Sequence, residues 1–371
     1  MSNLRERLKK ISAEKRSESD PVVQQHPKCA FRTRIVDAPS MSFEGSTLAL
    51  LGGDAFADLS LRPEDWIFID TETTGLSRGV GTIAFEVGIG EIVGRQMKIT
   101  QLWMRDYDQE EDMLQRLCAL CEGKRAMVSF NGRSYDLPLL ESRCTLNRIR
   151  APFERFAHLD LLYPARRLYK LRLKQCSLTH LEEAVLDLHR KGDIPGSEIP
   201  ALWAQYIRTR EESLLLGVFD HNLQDVQTMA YLLQRIYDAH SEPQGQLHME
   251  DLFSVGRVYD RAGRYDVAEK CYAQIAAGIC RAPAGKALAR IYRRGDRTEE
   301  AIRLLESMIA VDSGDIFPYV ELAKLYEHRL GTPERALYYT DLALGRTMDS
   351  EEIEELMHRR IRLAKKCRRK A

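Results

Sequence analysis

The string IDTETTGL ends an apolar run with Asp70 and Glu72 two residues apart. Alternate side chains of a strand leave on one face, so both carboxylates project together. In SFNGRSYDLPLL a second apolar run ends at Asn131-Gly132, a turn-former, and Asp136 falls in the first turn of the next helix with Pro138 behind it. In FDHNLQDVQTMAYLL, His221 and Asp225 are four apart and share a helical face, ahead of an apolar stripe through Val226, Met229, Ala230 and Leu233. Carboxylates suit acid–base work and the binding of hard cations, and an imidazole suits proton transfer near neutral pH. Each element alone also has an ordinary reading: solvated acids at a strand end, an acid on a helix dipole, a surface His and Asp pair.

Taken in order, D-x-E, N-G-x2-Y-D and H-x3-D resemble the DEDD-type 3′-to-5′ exonucleases of the ribonuclease-H-like fold. The strings DTETTGLSRGVGTIAFEVGIG, NGRSYDLPLLESR, HLDLLYPARRLYKLRLKQCSLTHLE, DIPGSEIPALW and HNLQDVQTMA are similar to the bacterial YprB-like group, over roughly residues 64 to 238. The resemblance implies that Asp70, Glu72, Asp136 and Asp225 hold two divalent cations, Mg²⁺ or Mn²⁺, with Asp70 as the bridge. Such an ion pair lowers the pKa of an attacking water and holds the leaving oxygen of a phosphodiester. Without cations, two carboxylates about 4 Å apart repel by roughly 4 kcal/mol at an effective dielectric near 20. His221 is the candidate general base. Its H-x3-D spacing is that of the tyrosine branch, whereas the histidine branch usually has H-x4-D. Thr73 and Leu76 match positions lining the pocket of the 3′-terminal nucleotide, and Asn131 is a candidate strand contact.

These residues need elements to position them. WIFID, TIAFEVGIGEIV and MKITQLWM read as three strands of an antiparallel meander, followed by an amphipathic helix near 109–122, the strand AMVSF, a helix from about Ser134, a strand around HLDLL, and helices to about His240. That order gives an α/β ribonuclease-H-like mixed sheet with flanking helices over residues 61–240. Residues 1–60 read as a mobile leader with a short lead-in element, and the polar, Pro- and Gly-bearing stretch 241–247 as a linker. Over 248–371 a pattern recurs: Tyr259, Tyr292 and Tyr326 keep step with Ala268, Ala301 and Ala336. This Y-x3-G-x4-A texture resembles tetratricopeptide repeats over roughly 250–345, implying an all-α repeat domain whose stacked helix pairs present a surface to a protein partner.

Lys plus Arg and Asp plus Glu both total 55, so affinity for a polyanion must come from uneven charge placement. Residues 143–174 hold nine Lys or Arg against Glu154 and Asp160, with Tyr163 and Tyr169 among them. Arg359–Lys370 holds eight with no acid, and reads as a solvated helix end, a disordered tail or a nucleic-acid contact. Eight cysteines are too sparse for a disulfide scaffold, and Cys118 and Cys121 form a lone CxxC read as small helix residues. No apolar run is long enough to cross a bilayer and no export segment opens the chain, so a cytoplasmic protein is expected. Single-stranded RNA or DNA is the expected substrate. The rival from another class is a non-catalytic nucleic-acid-binding adaptor.

Overall fold

The computed structural model describes residues 24–25, 29–75, 81–243 and 248–370. The chain divides into two compact units, Met1–Glu242 and Pro243–Ala371. Among the described residues no helix is long and apolar enough to cross a membrane.

The first unit is built on strands β1 (Gln24–Gln25), β2 (Ala30–Asp37), β3 (Trp66–Thr73), β4 (Ala84–Val93), β5 (Gln96–Trp103), β6 (Ala126–Ser129) and β7 (Ala157–Asp160). They form one sheet in the order β1-β2-β5-β4-β3-β6-β7. The central meander β3-β4-β5 is antiparallel, and β6 and β7 join β3 in parallel. Ordered structure begins earlier than a leader over residues 1–60 implies: β2 pairs with β5 along its whole length, and α1 (Gly45–Gly52) follows it. The sequence AFRTRIVD conceals this strand because its inward row carries Arg32, a charge where the alternating pattern calls for an apolar residue.

Helices cover both faces. On one, Ile67, Ile69, Phe85, Val87 and Ile89 pack with residues of α2 (Glu110–Leu120), α3 (Asp136–Leu146) and α6 (Ile199–Thr209), where Trp203 stacks on Phe85 at 4.4 Å. Between them in sequence lie α4 (Leu162–Leu173) and α5 (Leu178–Leu181), the latter running into a π-helical turn at Glu182–Leu186. On the other face lies α7 (Ser213–Ser241), brought close by two glycines in VGIG of β4. A Cβ on Gly88 would stand 2.0 Å from Asn222 Oδ1, and one on Gly90 2.8 Å from Val226 Cγ1. Asn222 and Val226 are one helical turn apart, so α7 lies along this glycine track.

The second unit is all helical: α8 (Met249–Arg261), α9 (Tyr265–Ala273), α10 (Arg281–Arg294), α11 (Thr298–Val311), α12 (Ile316–His328), α13 (Pro333–Leu344) and α14 (Ser350–Lys370). Its repetition is physical. Tyr259, Tyr292 and Tyr326 each lie near the end of a helix and accept a backbone hydrogen bond from the turn, donated by Arg264, Arg297 and Thr332. Each turn passes through a left-handed residue, Gly263 (φ 74°), Asp296 (φ 56°) and Gly331 (φ 61°). An arginine then covers each ring, Arg264 at 5.3 Å, Arg297 at 4.4 Å and Arg335 at 5.3 Å. Ala268, Ala301 and Ala336 are wholly buried at the point where the paired helices approach. The basic end of α14 is partly tied down, with Arg359, Arg362 and Lys366 all bonded to the Glu327 carboxylate.

The glycine track sets an expectation. Gly88→Ala should cost about 1–3 kcal/mol by overpacking, because the hydrogen-bonded Asn222 amide cannot step aside. Urea denaturation of the wild type and variant measures it, and an unchanged midpoint would show that α7 does not rest on this strand.

Candidate active site

The parallel strands β3, β6 and β7 bring their C-terminal ends to one edge of the sheet, the place where open α/β sheets bind ligands. β3 ends there with Asp70 and Glu72, and a bulge between Glu72 and Thr73 breaks its register with β4. β6 runs into Asn131, held at φ 67° because its N–H and that of Arg133 donate to the buried Asp160 at 2.7 and 3.1 Å. Asp160 also accepts from Leu162 N at 3.1 Å, so it pins the turn after β6 to the start of α4. Gly132 is required, since a Cβ there would lie 2.5 Å from Ser129 Oγ. This turn delivers Asp136, first residue of α3, to Thr71, whose hydroxyl donates to its Oδ1.

Helix α7 supplies the remaining groups. Asn222 donates to Asp70 Oδ2 at 2.9 Å. Gln101, on the strand beyond, donates to Asn222 Oδ1 at 3.0 Å and to Glu86 Oε1 at 2.7 Å, and itself accepts from Arg32 Nε at 2.6 Å. One turn along α7, Asp225 Oδ1 is bound by Arg190 Nη2, while Asp225 Oδ2 faces His221 Nε2 at 3.6 Å. Arg190 is gripped in turn by Glu182 at 2.5 and 2.7 Å and by Asp193 at 3.0 Å. His221 Nδ1 lies 2.8 Å from Asp193 Oδ1.

The charge balance is strongly negative. Burial first, then repulsion from Asp225 and Asp136, holds Asp70 well above the ordinary carboxylate range. Glu72 is raised by burial and by Asp70, Glu86, Asp225 and Asp136. Burial pushes Asp136 up to about 6, against the Thr71 hydrogen bond that favours its ionised form. Glu86, directly across from Glu72 in the sheet, is fully buried and pushed up to about 8 by that burial, and among the described residues its Oε2 has no hydrogen-bond partner. Burial opposes the charge of Arg190, but Glu182 and Asp225 outweigh it and raise its pKa.

Asp70, Glu72, Asp136, Asp225 and His221, predicted from three separate strings, thus act on one another at one edge of the sheet. Among the described residues no three His, Cys, Asp or Glu side chains stand ready to enclose a metal ion, because each acid is turned to its own donor: Asp70 to Asn222, Asp136 to Thr71, Asp225 to Arg190. The donor set still suits hard divalent cations, being all carboxylate oxygen with an orphaned Glu86 oxygen and repulsion that cations relieve. Thr73 donates to Gly75 O at 2.9 Å within the bend after β3, and Leu76 lies outside the described residues. Sequence reasoning missed Glu86, Asn222, Arg190, Asp193, Glu182 and Arg32. A glutamate inside the apolar run TIAFEVGIG was the available signal for Glu86, and the H-N-L-Q-D string already held Asn222.

The raised carboxylates make stability pH-dependent. The folded chain keeps a proton on Glu86 that the unfolded chain releases, so this contribution is complete below the ordinary value of 4.5 and is lost as pH rises toward about 8. The slope is at most about 1.4 kcal/mol per pH unit per group. In EDTA, Glu86→Gln should flatten the fall in Tm between those two pH values and melt above the wild type at the upper one. Parallel pH profiles for the two proteins would contradict this.

A family model of the RNase_H superfamily matches residues 67–237. The protein titled "Uncharacterized protein YprB" of Bacillus subtilis is 28% identical over 307 residues, covering 81% of this chain and 74% of that one. A family B DNA polymerase from the archaeon Pyrobaculum calidifontis aligns over 61% of this chain at 14% identity with a TM-score of 0.40, and the chain spans only 28% of that polymerase. The matched span 67–237 carries every acid of the site and is similar to the RNase_H superfamily.

Proposed function

We propose that the chain is a divalent-cation-dependent 3′-to-5′ exonuclease of single-stranded nucleic acid, with the helical second unit as a partner-binding surface. The observation that carries the reading is the cluster of carboxylates contributed by β3, β4, α3 and α7 at one sheet edge, where burial and mutual repulsion raise Asp70 and Glu72. Asp70, Glu72, Asp136 and Asp225 would hold the cations. When bound, these supply a nucleophilic water at neutral pH and stabilise charge on the attacked phosphate and the leaving 3′ oxygen.

The chain's own groups do the rest. His221 Nδ1 lies between Asp193 Oδ1 at 2.8 Å and Arg190 Nη1 at 3.2 Å; in the tautomer whose Nδ1–H donates to Asp193, Nε2 carries the free lone pair facing the acids, as a general base requires. Arg190 neutralises one oxygen of Asp225 and leaves the other facing His221. Asn222 fixes the rotamer of Asp70. The adaptor reading has one observation in its favour: Arg190 already satisfies Asp225, as a lasting structural ion pair would.

The readings separate by assay. With 5′-labelled single-stranded RNA and DNA in Mg²⁺ or Mn²⁺, the wild type should give progressive shortening, abolished in an Asp70→Asn, Asp225→Asn double variant and reduced about 10²- to 10⁴-fold by His221→Ala. Tight binding without cleavage by either protein supports the adaptor, and internal products point to endonucleolytic cutting. Independently of turnover, Mg²⁺ or Mn²⁺ at about 100 times its Kd should add about 2.7 kcal/mol of stability, lost in Asp70→Asn. Melting indifferent to both ions overturns the cation reading.

A further inference from the structure

The basic stretch 143–174 separates into two groups. Several of its cations are structural: Arg143 pairs with Glu110, Arg155 donates to Cys121 O, and Arg167 donates to Leu51 O at the end of α1. Arg166, Lys170 and Lys174 are different, and the side-chain contact that Lys174 makes is local: its Nζ donates to Leu171 O of its own helix end at 3.0 Å. They are exposed and four residues apart, so they project from one face of α4 and its end, and no carboxylate among the described residues engages them. Lys174 adopts a left-handed φ of 66°, which ends α4 and turns Gln175–Leu178 back alongside it. The result is a groove of about 520 Å³ lined by the three cations together with Ser177, Leu178, Phe130 and Asn131.

Two residues of the groove are joined to the acidic site through the chain. Asn131 precedes Asp136 by five residues in the turn that Asp160 pins, and Leu178 begins the helix that continues into Glu182, the residue gripping Arg190 beside Asp225. The three cations span about 12 Å at 1.5 Å rise per residue, a linear array matched to a chain of phosphates and too extended for a single anion. The aromatic Phe130 in the lining adds a face on which a base can stack.

We propose that this groove is the track for the sugar-phosphate backbone of a single strand, with Arg166, Lys170 and Lys174 each neutralising one phosphate and Asn131 standing where the track meets the acids. Naming the occupant rests on the nuclease reading, but binding does not require cleavage, so the two are tested separately. Fluorescence anisotropy of labelled oligouridylate and oligothymidylate, with EDTA present, measures affinity as a function of salt. A triple variant, Arg166→Gln with Lys170→Gln and Lys174→Gln, should lower the log–log salt slope by about 2, since each phosphate contact to a single strand contributes about 0.7. Between roughly 50 and 200 mM salt the wild type should then lose about 20-fold more affinity than the variant.

The charge-preserving triple, Arg166→Lys with Lys170→Arg and Lys174→Arg, should retain the wild-type slope, which separates charge from packing. All three side chains are exposed, and melting curves verify that each variant is folded. A glutamine triple with the wild-type slope on both oligonucleotides overturns the proposal. Loss of the slope in a protein that cleaves neither strand supports the groove while sinking the nuclease reading, and cleavage with an unaltered slope does the reverse.

Discussion

The first unit depends on confining several carboxylates at one sheet edge. Each pair of such groups about 4 Å apart repels by roughly 4 kcal/mol at an effective dielectric near 20, so packing alone gives no reason to gather them. The fold meets the repulsion in three ways at once. Asp70, Glu72, Asp136 and Glu86 are driven toward their protonated forms. Arg190 takes up Asp225 together with Glu182 and Asp193. Neutral donors, Asn222 and Thr71, bind single carboxylate oxygens and leave the others open. None of these removes negative charge from the site for good, since protons and guanidinium can both yield to a cation of higher charge density.

What holds the acids in place is a row of partners crossing the sheet. Arg32 lies opposite Gln101, Gln101 opposite Gly88, and Gly88 opposite Asp70. The missing side chain of Gly88 admits the Asn222 amide into the row, so helix and sheet meet at the residue that holds Asp70. Gln101 Nε2 has two hydrogens and three acceptors within reach, Glu86 Oε1 at 2.7 Å, Phe219 O at 2.8 Å and Asn222 Oδ1 at 3.0 Å. Its amide therefore links β4, β5 and α7 in one polar contact, while Arg32 behind it is the counter-charge to Glu86. Among the described residues only Arg32 Nη2 and Glu86 Oε2 of this network lack a hydrogen-bond partner, and the bonds that are made fix the Asn222 amide that holds Asp70.

The features legible in the sequence are the local ones. D-x-E, N-G-x2-Y-D and H-x3-D announce their elements because strand period, turn chemistry and helical spacing are set within a few residues. The tyrosine repeat is legible for the same reason, since ring, left-handed turn and covering arginine fall within about ten residues of chain. The residues that escaped notice act through register. Glu86 matters because it pairs with Glu72, Arg32 because it pairs with Gln101, and neither pairing is written in the local string. Arg190 and Asp193 sit in HRKGDIPG, whose Gly and Pro signal only a turn, and their role appears when that loop meets α7.

The basic groove and the acidic cluster make sense only as neighbours. A phosphate chain brought to bare carboxylates meets repulsion of the same kind that the acids exert on one another, so on the nuclease reading acids alone would expel the proposed substrate. Cations at Arg166, Lys170 and Lys174 can draw the strand to the edge of the site, and divalent ions among the acids can reverse the sign of the field at the scissile bond. On the proposed reading, affinity and chemistry reside in different residues, α4 for the first and β3, α3 and α7 for the second. A chain with equal numbers of acidic and basic residues can bind a polyanion by this route, because what would attract a strand is the local field of α4 and not the net charge.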